Sequence, residues 1–182
     1  MGFLEKTVQV LDRLNDRIGR VVAWAAIIMV LVQFTVVVMR YIFGLGSIVM
    51  QESVIYLHAF LFMVGAGYTL LHEGHVRVDI FYREATLRTK AKVDLAGSLI
   101  LLLPVCVLIA WSSYPYILTT WSVFEGSRET SGIHGVFLLK SVIWIFAGLL
   151  MLQGISIAAR SYLFLAGKTE VLKTNTDTEG HI

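Results

Sequence analysis

The chain has 182 residues, of which 57% are apolar and only 15% charged, with a formal net charge of +2. An average soluble protein carries about 25% charged residues; here the apolar residues come in blocks without polar faces, which excludes a soluble globular domain. So small a net charge, with basic residues scattered at block edges, excludes a nucleic-acid footprint, and the single cysteine, Cys106, lies in an apolar run that offers neither an intrachain disulfide nor a metal site.

In residues 1–20, Leu4, Val8, Leu11, Leu14 and Ile18 recur at intervals of three and four among Glu5, Lys6, Asp12, Arg13, Asp16, Arg17 and Arg20. That spacing predicts an amphipathic helix in the cytoplasmic interface, running on into a first span. The charge-free run from Val21 to Met39 is longer than the roughly 7–15 residues of a signal core. At helical rise it covers about 28 Å, close to the hydrocarbon thickness of about 30 Å, and is read as a retained span of about 21–43. Gly44-Leu45-Gly46-Ser47 then breaks the helix.

A second span is expected at about 52–72, opened by Glu52, whose carboxylate complements the helix dipole. Its Gly65-Ala66-Gly67 run predicts a close helix–helix approach. The stretch Gly74-His75-Val76-Arg77-Val78-Asp79-Ile80-Phe81-Tyr82 and its sequel to Lys92 are too charged to cross and too apolar for a plain loop. An interfacial amphipathic helix is expected there, between spans 2 and 3, with Phe81 and Tyr82 anchored at headgroup depth.

Leu95 to Phe124 contains no charged residue, about 45 Å of helix. A third span of about 95–118 therefore either tilts or ends near Pro115, and Pro104 predicts a kink or local loosening. Trp111, Tyr114, Tyr116 and Trp121 supply an interfacial belt. A loop holding Gly126, Arg128, Glu129, Gly132, His134 and Gly135 leads to a fourth span at about 136–160, with Lys140 near its start and a small-residue pair, Gly154 and Ala158. The fold expected is all-α: one membrane domain over 1–167, followed by a polar, disordered tail over 168–182.

Of the 15 Lys and Arg, twelve lie in the N-terminal, central and C-terminal segments and only Arg40, Arg128 and Lys140 in the two other loops. The positive-inside rule then places both termini and the central segment in the cytoplasm.

Candidate functional groups are few. Gln33, His58 and Gln153 are the strongly polar residues well inside the spans, and no carboxylate sits at mid-membrane, where a cation pathway normally needs one. Interrupted spans do not occur in the pairs that transporters use to build a midplane site. His58 and His72 could share one side of span 2, but haem in a bundle wants a ligand on a facing helix, and spans 1 and 3 contain no histidine. No cofactor is expected. Glu52, Arg40 and Lys140 lie near the outer surface, where Glu52 either pairs with one of the cations or each snorkels separately to water. On the cytoplasmic side, His75, Arg77, Asp79, Phe81 and Tyr82 read either as a partner or lipid-headgroup contact surface or as an ordinary positive-inside loop.

Taken together, Glu52, Gly65-Ala66-Gly67-Tyr68, Gly74-His75-Val76-Arg77-Val78-Asp79, Val93-Asp94, Leu103-Pro104, Trp121, Glu129, Ser131, Gly132, Lys140 and Leu152-Gln153-Gly154 resemble the small, four-helix permease subunit of tripartite ATP-independent periplasmic (TRAP) transporters. The match covers about residues 15–165; where a proline is expected between Gly132 and Trp144, this chain has Ile133-His134-Gly135. The resemblance implies a multi-pass protein of the bacterial inner membrane, not an enzyme. It would scaffold a large multi-span subunit that carries the substrate and sodium sites, in uptake of an organic acid delivered by a periplasmic binding protein. The alternative reading is the membrane anchor of a haem- or quinone-dependent redox complex.

Overall fold

A computed structural model describes residues 2–76, 82 and 84–167. Among the described residues there is no strand. Four helices carry the fold: α1 (Phe3–Phe43), α2 (Ile48–Leu71), α3 (Leu87–Ser122) and α4 (Val136–Leu165), each long and apolar enough to cross a membrane. The tail over 168–182 and the stretch 77–81 lie outside the described residues.

The amphipathic lead-in and the first span are one uninterrupted helix of 41 residues. Its length, about 61 Å, is twice the roughly 30 Å of hydrocarbon. Its buried face is Val8, Asn15, Gly19, Val22 and Ala25, a stepwise spacing of three, four and seven that follows one side of a helix. This is not the stripe that apolarity alone selects: Leu4 and Leu14 are 40% and 41% exposed, while Asn15 is 1% exposed. The reversal has a local cause, because the neighbouring helix presents polar groups at this level.

Gly44, in the left-handed region at φ 65°, ends α1, and the Leu45 N–H closes the last turn on the Met39 carbonyl at 3.0 Å. Ser47 caps α2 by accepting the Met50 N–H, so α2 starts at Ile48 and Glu52 falls in its second turn, later than the sequence suggests. In α3 the loosening expected at Pro104 takes the form of a π-helical stretch, Gly97–Leu102. Pro104 has no N–H and its ring crowds the carbonyl four residues back; a wider turn just before it relieves both, and the Leu103 N–H reaches the Ser98 carbonyl. The helix does not end at Pro115 but continues to Ser122. Leu87–Ala96, in the region expected to form a separate interfacial helix, is its first part and runs directly into the π stretch.

The fourth helix is the hub. In its most apolar window 44% of residues are buried, against 17%, 17% and 11% in the others, because α1, α2 and α3 all pack on it. One core cluster joins Val22, Val64 and Leu149; a second joins Ala66, Cys106 and Leu150. In a bilayer lipid is as apolar as these side chains, so close packing has to hold the helices together. The closest approaches use glycine. A Cβ at Gly19 would come within 2.2 Å of the Tyr68 ring, and one at Gly67 within 2.5 Å of Asn15 Oδ1 and 3.2 Å of Leu149 Cβ. The close contact expected at Gly65-Ala66-Gly67 therefore falls on Gly67; Gly65 meets nothing within 4 Å.

Replacing Gly67 by Val should destabilise the detergent-solubilised chain by about 1–3 kcal/mol, the usual cost of overpacking. Gly148→Ala, at a glycine with open space around it, should leave the thermal unfolding midpoint unchanged. Equal midpoints for the two variants would contradict this packing.

Candidate functional site

The polar side chains that the fold buries or half-buries gather at the two ends of the helices. At the end carrying the chain termini, α1 and α4 meet through Asp12, Asn15, Gln153, Ser156 and Arg160. The intervals from Asp12 to Asn15, Gln153 to Ser156 and Ser156 to Arg160 are three, three and four, so each set lines one helix face. Arg160 donates to Asp12 Oδ2. Asp12 Oδ1 accepts from Ser156 Oγ at 2.6 Å and from Gln153 Nε2 at 3.2 Å. Gln153 Oε1 in turn accepts from Asn15 Nδ2 at 2.8 Å. Gln153 is 1% exposed and Ser156 0%. Asn15 Oδ1 has no hydrogen-bond donor because it lies against Gly67, where only a glycine backbone fits.

A smaller cluster flanks the first. Asp16 pairs with Arg20 one turn on and with His72 Nε2 at 3.3 Å, and the His72 ring lies on Tyr68, with centroids 4.3 Å apart. His72 caps α2, so this cluster joins the end of α2 to α1.

At the opposite end the 125–135 loop is held by two helices. Glu52, on α2, accepts from Ser127 Oγ and from the Ile133 N–H at 2.6 Å. The loop closes so tightly on this carboxylate that a Cβ at Gly132 would stand 2.7 Å from Glu52 Oε1. Lys140, on α4, donates to Glu125 Oε2 at 2.6 Å and sits 4.2 Å from the centre of the Tyr116 ring. The Trp121 indole N–H donates to Ser141 Oγ at 2.8 Å. Glu52 and Lys140 thus both find partners, but in the loop; the Glu52–Lys140 and Glu52–Arg40 pairings weighed from the sequence are replaced by these. Both residues flank the loop from different helices: its Ser127 hydroxyl and Ile133 N–H reach Glu52, and its Glu125 carboxylate reaches Lys140.

The other sequence-selected residues are dispersed. The Tyr82 hydroxyl donates to the Asp94 carboxylate at 2.8 and 3.0 Å, and Lys90 Nζ lies 5.2 Å from the centre of its ring. His75 is exposed. Arg77, Asp79 and Phe81 lie outside the described residues. His58 is exposed and stacks on Phe62, while His72 turns to Asp16, so the two histidines weighed for haem serve separate local contacts. Among the described residues no group of three or more His, Cys, Asp or Glu could hold a metal ion. Sequence reasoning missed the Asp12–Arg160 cluster. Its signal was present as polar residues at helical spacing on both helices, but the pairing of two segments 148 residues apart could not be read from either one.

Chemically, these arrangements hold helices and a loop in place. Removing one partner of a part-buried ion pair leaves an uncompensated charge, at a cost of about 3–5 kcal/mol. Arg160→Met should therefore lower stability by about that much, and Asp12→Asn with Arg160→Met should recover most of it. Thermal unfolding across this double-mutant cycle gives the coupling, and purely additive effects would contradict the pairing. For the loop, Glu52→Ala should raise hydrogen exchange at Ser127 and Ile133 while leaving the end with the termini unchanged; an unaltered exchange pattern would show that Glu52 does not hold it.

No curated protein and no solved structure matches the chain. The family model described as "Tripartite ATP-independent periplasmic transporters, DctQ component" matches residues 29–163, a stretch that covers all of α2 and α3, most of α4 and about the last third of α1. The chain belongs to this family, the small permease component of TRAP transporters.

Proposed function

We propose that the chain braces the large transport subunit of a TRAP system in the bacterial inner membrane, in sodium-coupled uptake of an organic acid delivered by a periplasmic binding protein. The observation that carries this reading is the use made of the buried polar groups. Asp12, Asn15, Gln153, Ser156 and Arg160 are committed to one another, and Glu52 and Lys140 to a loop. Polar residues at membrane depth ordinarily mark a transport path; these act as ties between helices. Substrate and sodium chemistry then belongs to the partner subunit, and the chain contributes rigidity. The redox-anchor alternative has no observation in its favour.

In this reading both termini and the 73–92 segment face the cytoplasm, as the distribution of Lys and Arg requires. The terminal end with Asp12 and Arg160 is then the inner one, and the loop held by Glu52 and Lys140 is the outer one. Residues 1–167 act as one membrane unit. The first part of α3, with Arg88, Lys90 and Lys92, lies at the headgroup level, and His75, Arg77, Asp79, Phe81 and Tyr82 contact lipid or partner there. Glu52 and Lys140 affect the partners through the loop that they hold.

Affinity purification of the chain from its native membranes should bring down a large multi-span subunit, and vesicles containing the chain alone should show no organic-acid flux. Substrate flux from the chain alone, or purification without any multi-span partner, would overturn the proposal.

A further inference from the structure

The first half of α1 sorts its charges. Asp12 and Asp16 turn into the chain, where Asp12 takes Arg160, Ser156 and Gln153, and Asp16 takes Arg20 and His72. Arg13 and Arg17, each one position further and so about 100° round the helix, are exposed. They form no ion pair among the described residues. Arg20 keeps 69% of its side chain exposed beside its contact with Asp16. Arg13, Arg17, Arg20 and Trp24 follow one another at intervals of four, three and four, along one helix face. With both acids committed inside the chain, that face carries positive charge that nothing opposite it balances.

Depth decides what meets this charge. The charge-free run beginning at Val21 occupies the hydrocarbon. Measured back from Val21 along the helix axis, Arg20, Arg17 and Arg13 lie about 1.5, 6 and 12 Å away, and Lys6 about 22 Å. The polar layer on each side of the hydrocarbon is about 5–8 Å deep, and an arginine stem adds its own reach. The three arginines therefore stand at headgroup level and Lys6 beyond it. In the other direction Trp24, Ile28 and Leu31, 67%, 51% and 60% exposed, carry the same face on to acyl-chain depth. Guanidinium forks suit phosphate oxygens, an indole suits the boundary, and aliphatic side chains suit the tails. A second copy would bring the same cations to this face. A neighbouring protein would have to supply an acid at headgroup level and an apolar surface below it. An anionic phospholipid has both in one molecule and is the solvent at this depth.

We propose that Arg13, Arg17 and Arg20 of α1, with Trp24 beneath them, hold the headgroup phosphate of an anionic phospholipid whose chains lie along Ile28 and Leu31. The site depends neither on the bracing role nor on which side of the membrane the termini face.

The test uses the full chain in phosphatidylcholine vesicles that contain a trace of photoactivatable lipid, either phosphatidylglycerol or phosphatidylcholine with the same reactive group. Peptide sequencing then measures the adducts on α1. Phosphatidylglycerol adducts should exceed phosphatidylcholine adducts at least about fivefold, the factor that one basic side chain at the surface contributes toward an anionic lipid. Arg13→Gln combined with Arg17→Gln should bring the ratio near one, while Lys6→Gln should leave it unchanged. Both arginines are exposed and outside any ion pair, so the double variant should unfold at the temperature of the unaltered chain. Equal yields from the two lipids, or a ratio that survives the double variant, would overturn the site. A lowered unfolding temperature would overturn it too, by showing that the arginines hold the fold. A ratio abolished by inorganic phosphate, but not by chloride at equal ionic strength, would reassign the site to a soluble anion. In native membranes from cells expressing the whole transporter, a benzophenone amino acid at Val21, one turn from Arg17 and 71% exposed, should capture no protein; a protein adduct would put a partner chain there instead.

Discussion

Asp12 and Arg160 sit on the first and last helices of the chain, and their pairing is the contact on which the arrangement depends. Neither charge could be left alone at a helix interface half out of water. Each charge is paired with the other, and Ser156 and Gln153 both donate to Asp12 Oδ1, while Arg160 Nε is left without a hydrogen-bond partner. The pair thereby fixes the register of α1 on α4. With that register set, Asn15 meets Gln153 and Gly67, and Gly19 comes to lie under Tyr68. The apolar contacts of Val22, Val64 and Leu149 follow one turn further along. Hydrophobicity cannot choose among registers in a bilayer, since lipid competes for every apolar face; hydrogen bonds and glycine contacts can.

The same logic explains why one helix is central. The α4 helix offers polar partners to α1 through Gln153, Ser156 and Arg160, and holds the loop before it through Lys140 and Glu125. Gly154 on α4 gives α3 close access: a Cβ there would stand 2.8 Å from Leu102, in the π stretch that precedes Pro104. Polar ties at both ends and small residues between them make a stiff unit. Stiffness of this kind suits a subunit whose contribution is to hold another protein in place.

The sequence made the fold class legible, because four long apolar blocks separated by charge admit little else. It was less informative about ends and faces. The lead-in runs on into span 1 as the sequence suggests, because the lone Gly19 does not break the helix and the charge pattern there marks a change of surroundings only. The start of α2 moved from Glu52 to Ile48 because Ser47 is a better cap than Glu52 is a first-turn acid. The buried face of α1 was not legible for a deeper reason. The apolar stripe includes Leu14 and leaves out Asn15, yet Asn15 is buried and Leu14 exposed because the opposing helix is polar at that level, and a single helix carries no record of its neighbour. For the same reason the sequence left open whether Glu52 and Lys140 pair or snorkel to water, and it did not locate their partners in the loop. A loop that folds back onto two helices supplies carboxylates and N–H groups that periodicity does not locate.

If the chain is a brace, its helices keep their relation while the transporter works. Pulsed electron–electron spectroscopy between spin labels at Lys6 and Tyr162, both exposed and on α1 and α4 respectively, measures that relation directly in the assembled complex. A rigid brace gives one narrow distance distribution that is the same with and without sodium and substrate. A second population, or a shift that follows substrate addition, would mean that the chain itself moves in the transport cycle.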